Sequence, residues 1–220
     1  MTDENSNFTF WIRWTLANAI GELIGLGTVF VAGFYFFYRF GEPHGAMALV
    51  GMALLVIVLA IYEGAAVGLA QWIVLRNPLR GLSRRSWLVA TIVGAVVAWI
   101  LGMIPGTLFS FNEEASTTTE PAMILALGVA AIMGAVLGVI LAAAQWWVLR
   151  NHVPKALVWL FANAVAWAVA MPLIFWMVGA TIGESRAPGA IVTLVAGIGV
   201  AGAVVGGIHG LFLVRMLPDR

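Results

Sequence analysis

The chain contains no cysteine, which excludes disulfides, thiolate metal sites and cysteine nucleophiles. Charge is nearly as scarce. Only 10% of residues are Asp, Glu, Lys or Arg, against roughly 25% in an ordinary soluble domain. The net charge of +1 and the confinement of basic residues to short loops give no reason to expect a nucleic-acid partner. Met1–Phe10 is polar and acidic and lacks the basic start of a signal peptide, so no cleavage is expected. No loop is long enough to fold as a soluble domain. The longest, Ser110–Pro121, carries Glu113, Glu114 and Glu120. Gly-x-Ser-x-Gly and His-Glu-x-x-His are missing, as is any paired acidic metal motif within the apolar segments. These absences argue against an enzyme, and no metal site is assigned.

What remains is apolar: 62% of the residues are hydrophobic. Runs of about 20 apolar residues mark transmembrane helices. Six are present, at Trp14–Tyr38, Ala46–Leu75, Trp87–Phe109, Ala122–Leu149, Ala156–Ile182 and Gly189–Val214. A lone span in lipid must satisfy its own backbone, so each is predicted as a helix. The segments lack the alternating polarity of a barrel strand. Arg13, Arg76, Arg80, Arg84, Arg85, Arg150, Lys155, Arg215 and Arg220 fall on one side, against Arg39 and Arg186 on the other. This bias predicts cytoplasmic N and C termini. Interfacial tryptophans at positions 14, 72, 87, 146, 147 and 159 agree with it.

The chain repeats itself. Ala70-Gln71-Trp72-Ile73-Val74-Leu75-Arg76-Asn77 returns as Ala144-Gln145-Trp146-Trp147-Val148-Leu149-Arg150-Asn151. A Trp-x-x-Ala motif begins at Trp14, Trp87 and Trp159, and Asn18, Thr91 and Asn163 follow its alanine. The expected fold is all-α and transmembrane: three tandem αα-hairpin units (about 11–77, 84–151 and 156–220) forming one domain over 1–220. Small residues at helical spacing, such as Gly64/Gly68, Gly134/Gly138 and Gly202/Gly206/Gly210, predict close helix approach. Pro105 and Pro172 are expected to kink the third and fifth spans.

The Gln-Trp-x-Val-Leu-Arg repeat with its interfacial tryptophans resembles uncharacterised polytopic membrane proteins of cyanobacteria and related bacteria. That resemblance implies a multi-pass protein of a bacterial inner membrane, and it supplies neither an activity nor a functional residue. Mitochondrial carriers also have three hairpins, but their Pro-x-acidic-x-x-basic signature is missing.

Two sets of polar residues stand out. Asn18 and Gln71 lie five residues inside Arg13 and Arg76, about 7 Å deep, and are expected to pair. Gln145 and Asn163 should repeat that pairing, with Thr91 a weaker version. The other set breaks the repeat. Glu22 stands where the other units have Ala95 and Trp167, Glu63 aligns with Leu137, and His209 aligns with Val67 and Leu141. Intramembrane ionisable groups are expensive and mark candidate function. If the units close into a ring, Glu22 is expected to meet His209. Trp99, Trp167 and Trp176 read as deep residues that fill space or stack a flat ligand.

The favoured function is a non-catalytic structural, assembly or apolar-ligand-binding bundle. The alternative is a small proton-coupled transporter or ion pathway through Glu22, Glu63 and His209. The composition names no cofactor. Lipid is the obvious partner, with anionic lipid expected at Arg80, Arg84 and Arg85. A membrane-protein partner or a second copy would suit any open face.

Overall fold

The computed structural model describes residues 3–41, 45–112, 123–182 and 188–217. His44, the three loop glutamates, Arg186 and Arg220 lie outside them. Six α-helices follow in order: α1 Asp3–Phe40, α2 Ala46–Leu75, α3 Arg84–Asn112, α4 Met123–Leu149, α5 Val158–Ile182 and α6 Pro188–Met216. All six are long and apolar enough to cross a membrane. The helices continue through Pro105 and Pro172. At 38 residues, α1 is about 57 Å long, well beyond the ~30 Å hydrocarbon core. Its first turns, Asp3 to Phe10, prolong the apolar span as helix rather than trailing as a polar tail.

Each helix packs on its neighbours in the chain, and α1 packs on α6, so the six form a closed ring. Glycines set how closely they approach. A β-carbon on Gly206 would lie 2.7 Å from Cβ of Asn18, one on Gly138 would lie 2.6 Å from the Asn163 carbonyl oxygen, and one on Gly64 would lie 2.8 Å from Cα of Ile92. No side chain fits there, so backbones pack directly and gain dispersion contact that lipid cannot supply. The α1–α6 seam is also tied by Trp11 Nε1, which donates to the Gly207 carbonyl at 2.9 Å.

The exterior is apolar, with Leu54, Val58, Ile132, Val136 and Val200 exposed. Asn18, Glu22, Glu63, Gln71, Thr91, Gln145, Asn163 and His209 are all buried. This polar interior inside an apolar surface is the arrangement lipid demands. At the arginine-rich end the ring is plugged. Trp14, Trp87 and Trp159 are fully buried and pack with Leu75, Leu149 and Leu213. The α2–α3 connection dips inward, burying Leu79 and Leu82, and turns at Gly81, whose φ of 89° favours glycine.

Candidate functional site

Just inside the tryptophan plug lies a chain of buried hydrogen bonds. Trp159 Nε1 donates to Gln145 Oε1 at 3.0 Å. Gln145 Nε2 donates to Gln71 Oε1 and to Thr91 Oγ1, each at 3.0 Å. Gln71 Nε2 donates to Asn18 Oδ1 at 2.9 Å, and Asn18 Nδ2 ends the run on the Trp14 carbonyl at 2.8 Å. An indole N–H can only donate and a carbonyl can only accept, so the two ends fix the orientation of every amide between them. The chain ties α5, α4, α3, α2 and α1 across the ring interior.

Asn18 and Gln71 thus form the expected pair. Gln145 and Asn163 do not: Gln145 turns to Gln71, Thr91 and Trp159 instead. Asn163 Nδ2 donates to the Trp159 carbonyl at 2.8 Å, and its Oδ1 has no hydrogen-bond partner among the described residues. The repeat supplies the reason. In the first two units a glutamine donates to the Asn18 or Thr91 oxygen; in the third, Leu213 occupies the glutamine's place.

His209 stands beside this gap. Its ring centroid is 4.9 Å from that of Trp159 and 6.4 Å from that of Trp14. Neither ring nitrogen has a partner among the described residues. The expected meeting with Glu22 does not occur, although the ring closes. The seam register brings Gly202, not His209, to Glu22: a β-carbon there would lie 2.8 Å from Cβ of Glu22. His209 is seven residues further along α6, about 10 Å away along the axis. Within the first hairpin Asn18 faces Gln71, whereas at the seam it faces Gly206. Depth counted along one hairpin does not carry over to the seam.

Glu22 instead neighbours Glu63. A β-carbon on Gly25, one turn from Glu22, would lie 3.0 Å from Cα of Glu63, so the two residues stand on facing turns of α1 and α2. Glu63 Oε2 accepts from Trp99 Nε1 at 2.7 Å; Glu22 Oε2 has no partner among the described residues.

Glu63 and Trp99 open onto a cavity of about 270 Å³ in the half of the bundle away from the tryptophan plug. Its wall comes from α1 to α5 and includes Phe30, Trp167, Phe175, Met103, Met133 and Met171. Glu63 is the one ionisable side chain among the described residues of that wall. Trp167 lines the cavity with Trp99, while Trp176 is 54% exposed on the outside, so it is not a deep residue. Sequence reasoning missed the methionine lining and the Glu63–Trp99 bond. The register alone gave no signal for that bond: Gly64 packs on Ile92 and Ala95, and the long Glu63 and Trp99 side chains, each leaning toward the N-terminus of its own antiparallel helix, span the remaining distance. No group of three His, Asp or Glu side chains able to hold a metal occurs among the described residues.

Six apolar helices around a polar, partly hollow interior define a polytopic α-helical membrane protein. No family model, curated protein or solved structure matches this chain.

Proposed function

We propose that the chain is a non-catalytic membrane bundle that binds an apolar small molecule carrying one cationic or hydrogen-bond-donating group. It is built from three tandem αα-hairpin units, with both termini in the cytoplasm. The observation that carries the ligand reading is the cavity itself. Its aromatic and methionine walls are soft and polarisable, they suit a cation as well as a hydrocarbon, and Glu63 is a single acceptor fixed by Trp99. A pocket near the small end of the usual range, roughly 300 Å³, with one convergent polar group is the ordinary form of a small-molecule site.

The test is titration of the reconstituted protein with a lipophilic amine and its neutral isostere, read by quenching of tryptophan emission. The amine binds at least tenfold more tightly to wild type, a gain of about 1.4 kcal/mol. Glu63→Gln abolishes the difference, and Met171→Trp, which fills the cavity, abolishes both signals. Binding that survives Met171→Trp unchanged would rule out the cavity as the site.

The adjacency of Glu22 and Glu63 favours a second reading, a proton or cation pathway. The tryptophan plug counts against it, since it closes the arginine-rich end. Liposomes loaded with a pH dye separate the two readings. A binding bundle leaves an imposed gradient intact, whereas a pathway dissipates it in wild type and not in Glu22→Gln.

A further inference from the structure

A second concave feature lies on the outside of the ring, between α1 and α2 at the arginine-rich end. It encloses about 1070 Å³. One end is lined by Arg13, Arg76 and Arg80 together with Ser6, Thr9 and Asn77; the other is floored by Leu16, Ile20 and Ile73. No Asp or Glu is among the described residues of the wall.

The geometry follows from helical spacing. Thr9, Arg13, Leu16 and Ile20 fall on one face of α1, while Ile73 lies near the end of α2 and Asn77 in the turn just past it. Two stripes therefore run side by side, cationic where the helices leave the membrane and apolar where they enter it. Leu16 is 54% exposed, Ile20 51% and Ile73 50%, so the floor opens sideways to lipid. Arg76 is held at the rim by stacking on Trp72, its guanidinium carbon 5.5 Å from the ring centroid.

Topology alone would not build this groove. A positive-inside bias needs basic residues in the loops, in any arrangement. Here three arginines converge with two hydroxyls, and only in the first unit. In the repeat, Ser86 and Val158 take the place of Arg13, and Pro154 takes the place of Arg80. Guanidinium forks match phosphate oxygens two at a time. A soluble anion would use the arginines but would leave the apolar floor idle.

We propose that the α1–α2 groove holds one anionic phospholipid from the leaflet at the arginine-rich end. Its phosphate lies among Arg13, Arg76 and Arg80, and its acyl chains lie along Leu16, Ile20 and Ile73. This site differs from the expected cluster, because Arg84 and Arg85 are not in the wall.

The experiment is native mass spectrometry of the full chain after exposure to phosphatidylglycerol or to phosphatidylcholine with the same acyl chains. Wild type retains one phosphatidylglycerol in preference to phosphatidylcholine. Arg13→Gln/Arg80→Gln weakens retention by roughly tenfold for each charge-assisted hydrogen bond removed. Arg84→Gln/Arg85→Gln removes equal charge outside the groove and leaves retention unchanged; an equal loss there would show diffuse attraction and overturn the proposal. Arg13→Lys/Arg80→Lys preserves charge and still weakens retention severalfold, which guards against misfolding of the glutamine variant. Excess inorganic phosphate does not displace the lipid. Displacement by phosphate, or no loss of retention in Ile20→Ser/Ile73→Ser, would assign the groove to a soluble anion instead.

Discussion

Gln145 is the branch point of the buried polar chain, serving Trp159, Gln71 and Thr91 at once. Its replacement strands the Trp159 indole N–H and the Gln71 amide oxygen in the buried interior, where unpaired polar groups are costly. Interhelical hydrogen bonds in membranes contribute about 0.6–2 kcal/mol each, so Gln145→Leu is expected to lose roughly 2–4 kcal/mol. Asn163→Leu should cost less than half of that, because among the described residues the Asn163 amide bonds only within its own helix. The midpoints of thermal unfolding in one detergent decide the matter, and equal losses would mean that the chain adds nothing beyond burial. How much of this was legible depended on direction. Depth follows from residue count, which is why the Asn18–Gln71 bond could be anticipated. Gln71 and Gln145 meet across the ring from helices that are not neighbours, and no spacing along the sequence encodes that.

The element scale turns on glycine seams. Gly64, Gly138 and Gly206 hold equivalent places in the repeat, and each faces the first helix of the next unit, with α6 returning to α1. The spans were legible because composition alone marks them. Closure was not, because small residues at helical spacing look alike whether they face a hairpin partner or a seam. That ambiguity is also why Glu22 and His209 were expected to meet. The closing seam should be sensitive to bulk. Gly206→Leu pushes a side chain into Asn18 and Thr15, and overpacking of this kind costs roughly 1–3 kcal/mol. It should also break the Trp11–Gly207 bond and shift Trp11 emission. Gly51→Leu is the control, since nothing lies within 4 Å of a β-carbon there, and it should change stability by less than about 0.5 kcal/mol. A Gly206→Leu protein as stable as the control would mean that the seam is not tightly closed.

For the whole molecule, the two ends of the ring differ in kind. The arginine-rich end is sealed by three tryptophans and by inward-dipping connections, while the half beyond Glu63 is hollow. A ligand of the kind proposed above would reach the cavity from the opposite face or from the membrane, and orientation decides which compartment that face meets. In the orientation proposed above from the charge bias, the sealed end lies in the cytoplasm and the hollow half faces outward. The absence of cysteine that opens the sequence makes this directly measurable, because any introduced thiol is unique. Asn151 is exposed at the sealed end, and Thr118, outside the described residues, stands in the sequence between α3 and α4. In intact cells a membrane-impermeant maleimide should label Thr118→Cys and spare Asn151→Cys, with Asn151→Cys reacting only after permeabilisation. The reverse pattern would turn the molecule over. The cavity would then open toward the cytoplasm, and the α1–α2 groove would draw its lipid from the outer leaflet.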